Sequence, residues 1–207
     1  MAKFPEPPRK AALQALGPRI ATLRAGSLLW QVYFRGGTHP TPWSDLRAFG
    51  PTDARFDHHL PPPRVQARAI LYAAKAGPTC LAEVYQATRT IDRHDREPWL
   101  VGFRTSRDLL LHDLTGAWVT QAGASTAIHS GARARSRRWS AALYSAFPGI
   151  EGLVYCSSMD ANRQAFVLYE RSADAMPRAP ELHRALADPA LASLLDAAAI
   201  RFGYAVV

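Results

Sequence analysis

The chain has 207 residues, 48% of them hydrophobic, enough for one domain with a sizeable core. Its 25 Lys and Arg against 17 Asp and Glu give a net charge of +8, which points to an anionic partner: nucleic acid, a membrane surface or a phosphorylated small molecule. No apolar run approaches the roughly 20 residues that span a bilayer, and "MAKFPEPPRK" lacks the apolar stretch of a signal peptide, so a cytoplasmic protein without a membrane partner is expected.

From Arg9 to Arg24, apolar residues at Leu13, Leu16, Ile20 and Leu23 stand near helical spacing, predicting an N-terminal helix interrupted at Gly17-Pro18. "LLWQVYF", 28 to 34, reads as a strand bounded by Gly26 and Gly36. A Gly/Pro-rich loop follows over residues 35–63, and "AILYAA", 69 to 74, is the next strand. "GPTCLAEVYQATR" predicts a helix capped by Thr79, with Glu83 in its early turns. Short strands are expected at "WLVGF", "LLLHDL", "GLVYCSS" and "FVLYER". Between them "GARARSRRWSAALYSAF" predicts a helix with Trp139, Ala142, Leu143 and Ala146 on its apolar side. The Ala-rich segment from Pro180 to Ile200 predicts one or two packing helices, and "YAVV" a closing edge strand. There is no internal repeat, low-complexity tract or domain boundary.

The two cysteines, Cys80 and Cys156, sit in apolar segments without metal-ligand spacing, predicting two buried thiols. Within "ARFDHH", 54 to 59, adjacent His58 and His59 would point to opposite faces of a strand, and no further ligand completes a set, so no metal site is predicted. "YCSSM" is not a nucleophile elbow, and neither a P-loop nor GxGxxG occurs. Arg133, Arg135, Arg137 and Arg138 form a basic run that reads either as a solvated helix face or as phosphate contacts. Arg55, Tyr72, Glu83 and Ser157 come from four separate predicted elements and offer a cation, an aromatic platform, a carboxylate and a hydroxyl. Taken singly, each also has a plain structural reading: ion-pair partner, core aromatic, exposed helix charge and strand-end residue.

In order, "ARFDHH", "ILYAA", "TCLAEVYQ", "LHDLTG", "GLVYCSSM" and "LYER" resemble the motifs of the RES domain family, the toxins of bacterial Xre-RES toxin-antitoxin systems. The resemblance implies a single RES domain over residues 1–207, with its core at about 26–171. It further implies an α+β fold, a compact ADP-ribosyltransferase-like split mixed sheet with flanking helices. NAD is the implied substrate, cleaved at its nicotinamide glycosidic bond by hydrolysis or phosphorolysis. Alternatives are ADP-ribosyl transfer to a protein, or a non-enzymatic nucleic-acid-binding or interaction protein. The implied partner is an Xre-type antitoxin, through which alone DNA would be contacted.

Carried over by motif, Glu83, Arg55 and Tyr72 are the implied catalytic residues, and Arg55, Tyr72 and Ser157 the NAD-binding ones. Where many members carry arginine in "LYR" or "LWR", this sequence has "LWQ", so Gln31 stands in a substrate-binding position. Arg35, four residues on, is the candidate replacement.

Overall fold

The computed structural model describes residues 3–37, 40–160 and 163–207. The first elements are α1 (Lys10–Leu16), β1 (Ile20–Leu23), β2 (Leu28–Phe34), β3 (Arg47–Gly50), β4 (Arg64–Ala74), α2 (Gly77–Val84), β5 (Thr90–Ile91), β6 (Pro98–Arg104) and β7 (Leu109–Asp113). After these come α3 (Trp118–Gln121), α4 (Ala127–Ser130), α5 (Arg133–Ala146), β8 (Gly152–Cys156), β9 (Gln164–Tyr169), β10 (Leu182–Ala185), α6 (Ala192–Phe202) and β11 (Ala205–Val206). The main sheet runs β1-β7-β8-β9-β4-β2-β6-β10, with β3 also paired to β4. Its ladders are antiparallel apart from β7–β8, so the sheet is mixed.

Burial follows the two-residue period of the strands. Ile70 of β4, Leu153 and Tyr155 of β8 and Val167 and Tyr169 of β9 face α5, whose Trp139 and Leu143 are fully buried among them. The alternate residues Leu71, Ala73, Val154, Phe166 and Leu168 enter a second cluster with Leu29, Val101 and Phe103. A third cluster joins α2 and α6 to β2 and β6 through Leu81, Leu195, Ala198 and Leu100, with Trp30 and Val32 packed against it.

Several expected elements change identity. Helix α1 stops at Gly17, whose φ of 74° suits a glycine terminator, and Pro18 cannot extend a helix. Residues 20–23, expected to continue it, pair instead with β7. Residues 182–185, expected to be helical, form the edge strand β10 on β6. The closing strand at 205–206 is real but pairs in parallel with β5 in a separate two-stranded sheet. A further strand, β3, arises inside the presumed loop of 35–63. Thr79 does not cap α2: Ala76 is the capping position, Pro78 lies in the first turn, and Glu83 falls in the last turn. Of the thiols, Cys80 is buried, while Cys156 is only partly so.

One feature of the sheet creates the site. The long strand β4 uses one edge for β9, from Ile70 to Ala74. Its other edge is shared: β3 takes the first part, up to Ile70, and β2 meets it at the single rung Trp30–Ala74. Between these contacts the edge at Leu71 and Tyr72 has no strand beside it among the described residues. Trp30 fills the join, its ring 3.2 Å from where a Cβ on Gly102 would stand, and Cys80 donates its S–H to the Trp30 carbonyl at 2.8 Å. The sheet is therefore split, and a cleft opens in the gap.

Candidate active site

The cleft has two connected lobes. The first, about 600 Å³, lies along β2 and the free part of β4 and includes Gln31, Tyr33, Arg47, Leu71 and Tyr72. The second, about 680 Å³, lies against α2 and α5 and includes Arg55, Tyr72, Glu83, Arg133 and Tyr155. Val32, Thr52, Ala54, Tyr72, Val84 and Arg96 line both. These volumes fall within the roughly 300–1,000 Å³ of small-molecule sites.

Arg55 reaches the second lobe from a loop held by unusual internal bonding. Asp57, fully buried, accepts from the Thr52 amide at 2.7 Å, the Thr52 hydroxyl at 2.9 Å and Arg47 Nη2 at 2.9 Å. His59 Nδ1 lies 2.6 Å from Asp57 Oδ1 and its Nε2 2.8 Å from the Arg68 carbonyl, so both ring nitrogens face acceptors. Burial opposes ionisation of Asp57, but these hydrogen bonds and the Arg47 charge outweigh it and hold the carboxyl well below its usual range. His58 sits between Tyr144 and Tyr169 at centroid distances of 4.5 and 4.4 Å. The two histidines are thus buried supports of the loop, and no group of three metal-capable side chains occurs among the described residues.

Helix α5 supplies the other wall. Ser140 Oγ donates to the Phe56 carbonyl at 2.7 Å, and Arg55 Nη1 donates to the Gly131 carbonyl at 2.6 Å. Ser136 and Ser140, one turn apart on the buried face, therefore flank the loop. Burial, and then the charge of Arg133, lower the proton affinity of Arg55 while Glu83 raises it; a guanidinium stays cationic at neutral pH through such a shift.

Glu83 projects from the last turn of α2. Ser157 Oγ donates to its Oε1 at 2.5 Å and accepts from the amides of Met159 and Asp160, each at 3.1 Å. The same turn is tied to α2 again, one helical turn back, where Thr79 Oγ1 donates to Asp160 Oδ2 at 2.6 Å. Arg201 of α6 pairs with the other Asp160 oxygen. The carboxylate is held by a clamp joining α2, α6 and the β8–β9 connection, whose Thr79, Ser157 and Asp160 are buried. A carboxylate fixed this way can face a developing cation without reorganising.

The structure brings Arg55, Tyr72 and Glu83 to one lobe and places Gln31 in the neighbouring one. Ser157 is 1% exposed and lies behind Glu83 rather than in the lining. Arg35 lies outside both lobes, its guanidinium 4.8 Å from the Trp99 ring centre. Burial, and then the Asp57 charge, push the Tyr72 phenol well above its usual range, so it is a neutral donor. The Tyr72 hydroxyl and Gln31 Oε1 are buried atoms without a hydrogen-bond partner among the described residues, a costly state that a bound polar group would relieve.

Residue reading missed Tyr155, Arg96, Asp57 and the serines of α5. Tyr155 stands two residues before Ser157 on β8, on the face turned to α5, which strand alternation could have indicated. The basic run is paired at the surface, on both of its halves. Arg133 and Arg137 pair with Asp53, beside the loop of Arg55, and Arg135 and Arg138 pair with Glu6.

A mixed sheet split between β4 and β2, flanked by helices and carrying an arginine, a tyrosine and a glutamate in the gap, defines an α+β protein built around a small-molecule cleft. The chain belongs to the RES domain family, whose model matches residues 28–189. Its fold is similar to that of a chain in the crystal structure of the M. tuberculosis MbcT-MbcA toxin-antitoxin complex, with a TM-score of 0.57 and 17% identity, covering 91% of this chain and 96% of that chain. No curated protein sequence matches it.

Proposed function

We propose that this protein is a toxin that destroys NAD by cleaving the bond between nicotinamide and ribose. The observation that carries the reading is the convergence of Arg55, Tyr72 and Glu83 on one cleft, with Glu83 clamped by Ser157. Cleavage of that bond develops positive charge on the ribose, as in glycoside hydrolysis. Glu83 stabilises this charge and holds a ribose hydroxyl, an interaction that strengthens toward the transition state. Tyr72 provides a neutral aromatic face for the nicotinamide and a hydroxyl for its amide. Arg55, a preorganised cation, takes a phosphate. Ser157 acts through Glu83 as a positioning residue.

An enzyme that drains NAD would harm its own cell, so a separate antitoxin restrains it. The similar fold found in a toxin-antitoxin complex supports that partner, and the resemblance to Xre-RES systems supports an Xre type, acting in the cytoplasm and contacting DNA on the toxin's behalf.

Incubation with NAD and measurement of free nicotinamide tests the proposal, with water, phosphate or lysate protein offered as acceptor. Release that Glu83→Ala abolishes in a folded variant is the expected result. Release unaffected by that substitution, or none under any condition, would reject it.

A further inference from the structure

Four arginines line the cleft, and three of them have guanidinium groups tied to another part of the fold. Arg47 is held by Asp57, Arg55 by the Gly131 carbonyl and Arg133 by Asp53. Arg96 differs. It lines both lobes, and among the described residues the hydrogen bonding of its side chain is limited to Nε donating to the adjacent Asp95 at 3.2 Å, a pair more than half exposed on each side. Such surface pairs contribute little and exchange readily with a better anion. Both Nη groups are left to donate.

Arg96 is nonetheless fixed in place. Its backbone is left-handed, with φ of 58°, and Glu97 follows with φ of 49°. Its carbonyl accepts from the Gly36 amide at 2.9 Å, which ties the β5–β6 connection to the end of β2. Its guanidinium lies 4.1 Å from the Phe34 ring centre. A non-glycine pair in the left-handed region costs free energy and persists where surrounding contacts over-determine it.

We propose that Arg96 grips the pyrophosphate of the dinucleotide where the two lobes join. The inference deepens the NAD reading above and rests on it. A dinucleotide is two nucleosides linked by a pyrophosphate, and the cleft is two lobes that meet at Arg96. With the nicotinamide riboside half beside Glu83 in one lobe, the adenosine half occupies the other, and the linker lies at the junction. A planar guanidinium presents parallel donors matched to such an anion. Gln31, in the same lobe, is neutral and cannot supply that charge.

ADP, which carries the pyrophosphate without the nicotinamide riboside, is the direct probe, with affinity read by calorimetry on the full chain. Losing one charged hydrogen bond lowers affinity about tenfold, so Arg96→Gln should weaken ADP binding by about that factor and raise KM for NAD similarly, with kcat nearly unchanged. Arg96→Lys should recover part of the affinity, since it keeps the charge but loses the fork. Nicotinamide riboside, which has no pyrophosphate, should be turned over alike by both forms, and Arg93→Gln, three residues away, should bind ADP normally. Wild-type protein that fails to bind ADP, or Arg96→Gln protein that binds it as tightly, overturns the proposal. ADP binding that depends on Arg96 without any nicotinamide release upholds it while rejecting NAD cleavage.

Discussion

Glu83 enters the cleft from a helix end, and its orientation depends on a hydroxyl 74 positions away in the chain. Removing the carboxylate and loosening it are therefore separable. Loss of one preorganised electrostatic group costs about 10² to 10³ in rate, so Glu83→Gln should lower kcat by that order. Ser157→Ala leaves Glu83 present but unclamped and strips two amides of their acceptor. It should lower kcat less than Glu83→Gln while leaving KM for NAD near the wild-type value, as steady-state kinetics would show. An equal loss in both variants would place Ser157 in contact with substrate. At Gln31, replacement by arginine adds a cation to the first lobe, and KM for NAD is expected to fall about tenfold. An unchanged KM would mean that the side chain does not reach the anion.

At this scale the sequence was legible where a motif carried meaning. Arg55, Tyr72 and Glu83 were singled out by type and resemblance, and they share a lobe. Arg96 was not legible, because nothing in "RHDREPW" tells one loop arginine from another. Its significance comes from a left-handed backbone and a cleft formed by distant strands. Arg35 illustrates the reverse: four residues from Gln31 in sequence, it lies over Trp99 and outside the cleft.

The element that most shapes the site is α5. Its apolar positions Trp139, Leu143 and Ala146 were readable from helical spacing, and they are buried. Its buried serines and paired arginines were not readable, since their partners, Phe56, Asp53 and Glu6, lie far away in sequence. The two halves of the basic run should separate experimentally. Arg135→Ala with Arg138→Ala frees only the N-terminal segment and should leave NAD turnover unchanged. Asp53→Ala releases Arg133 and Arg137 beside the loop of Arg55 and should raise KM for NAD. Equal, strong effects on nucleic-acid binding in a salt titration would instead support phosphate contacts.

Strands were located by composition more reliably than by neighbour. β2, β4 and β6 to β9 were expected near their observed positions, whereas β1 and β10 were taken for helix because short apolar spacings fit either period. Their ladders with β7 and β6, 80 or more positions away, decide the matter. Close packing within the sheet also sets a stability limit at Gly152. A Cβ there would lie 2.1 Å from the Val167 carbonyl oxygen, a backbone atom of the partnering strand. Overpacking costs about 1–3 kcal/mol, and each kcal/mol lowers the melting temperature of a chain this size by about 2–4 °C. Gly152→Ala should melt several degrees lower by calorimetry, and an unchanged transition would show that β8 shifts freely against β9.

Across the whole molecule, buried ionisable groups make stability fall on acidification. Burial lowers His112 and His129 from 6.5 to about 4. Between those limits the unfolded chain takes up protons that the folded state refuses, so the contribution is intact above about pH 6.5 and is lost down to about pH 4. Glu170 adds to this at lower pH. Burial would raise it, but His58, 3.7 Å away, and hydrogen bonds from the Tyr144 hydroxyl and the Ala69 amide hold it to about 2. Its contribution is intact above about 4.5 and disappears as pH falls toward 2. Denaturant midpoints measured from pH 7.5 to 4 should hold down to about 6.5 and decline below it, and His112→Phe should flatten the upper part of that decline. A flat profile across that range would mean that these histidines titrate normally.

The join at Trp30 and Ala74 has a consequence for how the chain can be divided. In space the molecule has two half-sheets, β1-β7-β8-β9-β4 with β3 on one side and β2-β6-β10 on the other. In sequence it has no such halves: the backbone passes from one to the other between β1 and β2, β2 and β3, β4 and β6, β6 and β7, and β9 and β10. No cut in the gene corresponds to the crevice, and a fragment ending anywhere in the sheet takes strands from both banks. The two sides share one rung and one buried cluster, in which Leu71, Ala73 and Phe166 meet Leu29, Val101 and Phe103, so they must be assembled together, through long-range pairings whose closure slows folding.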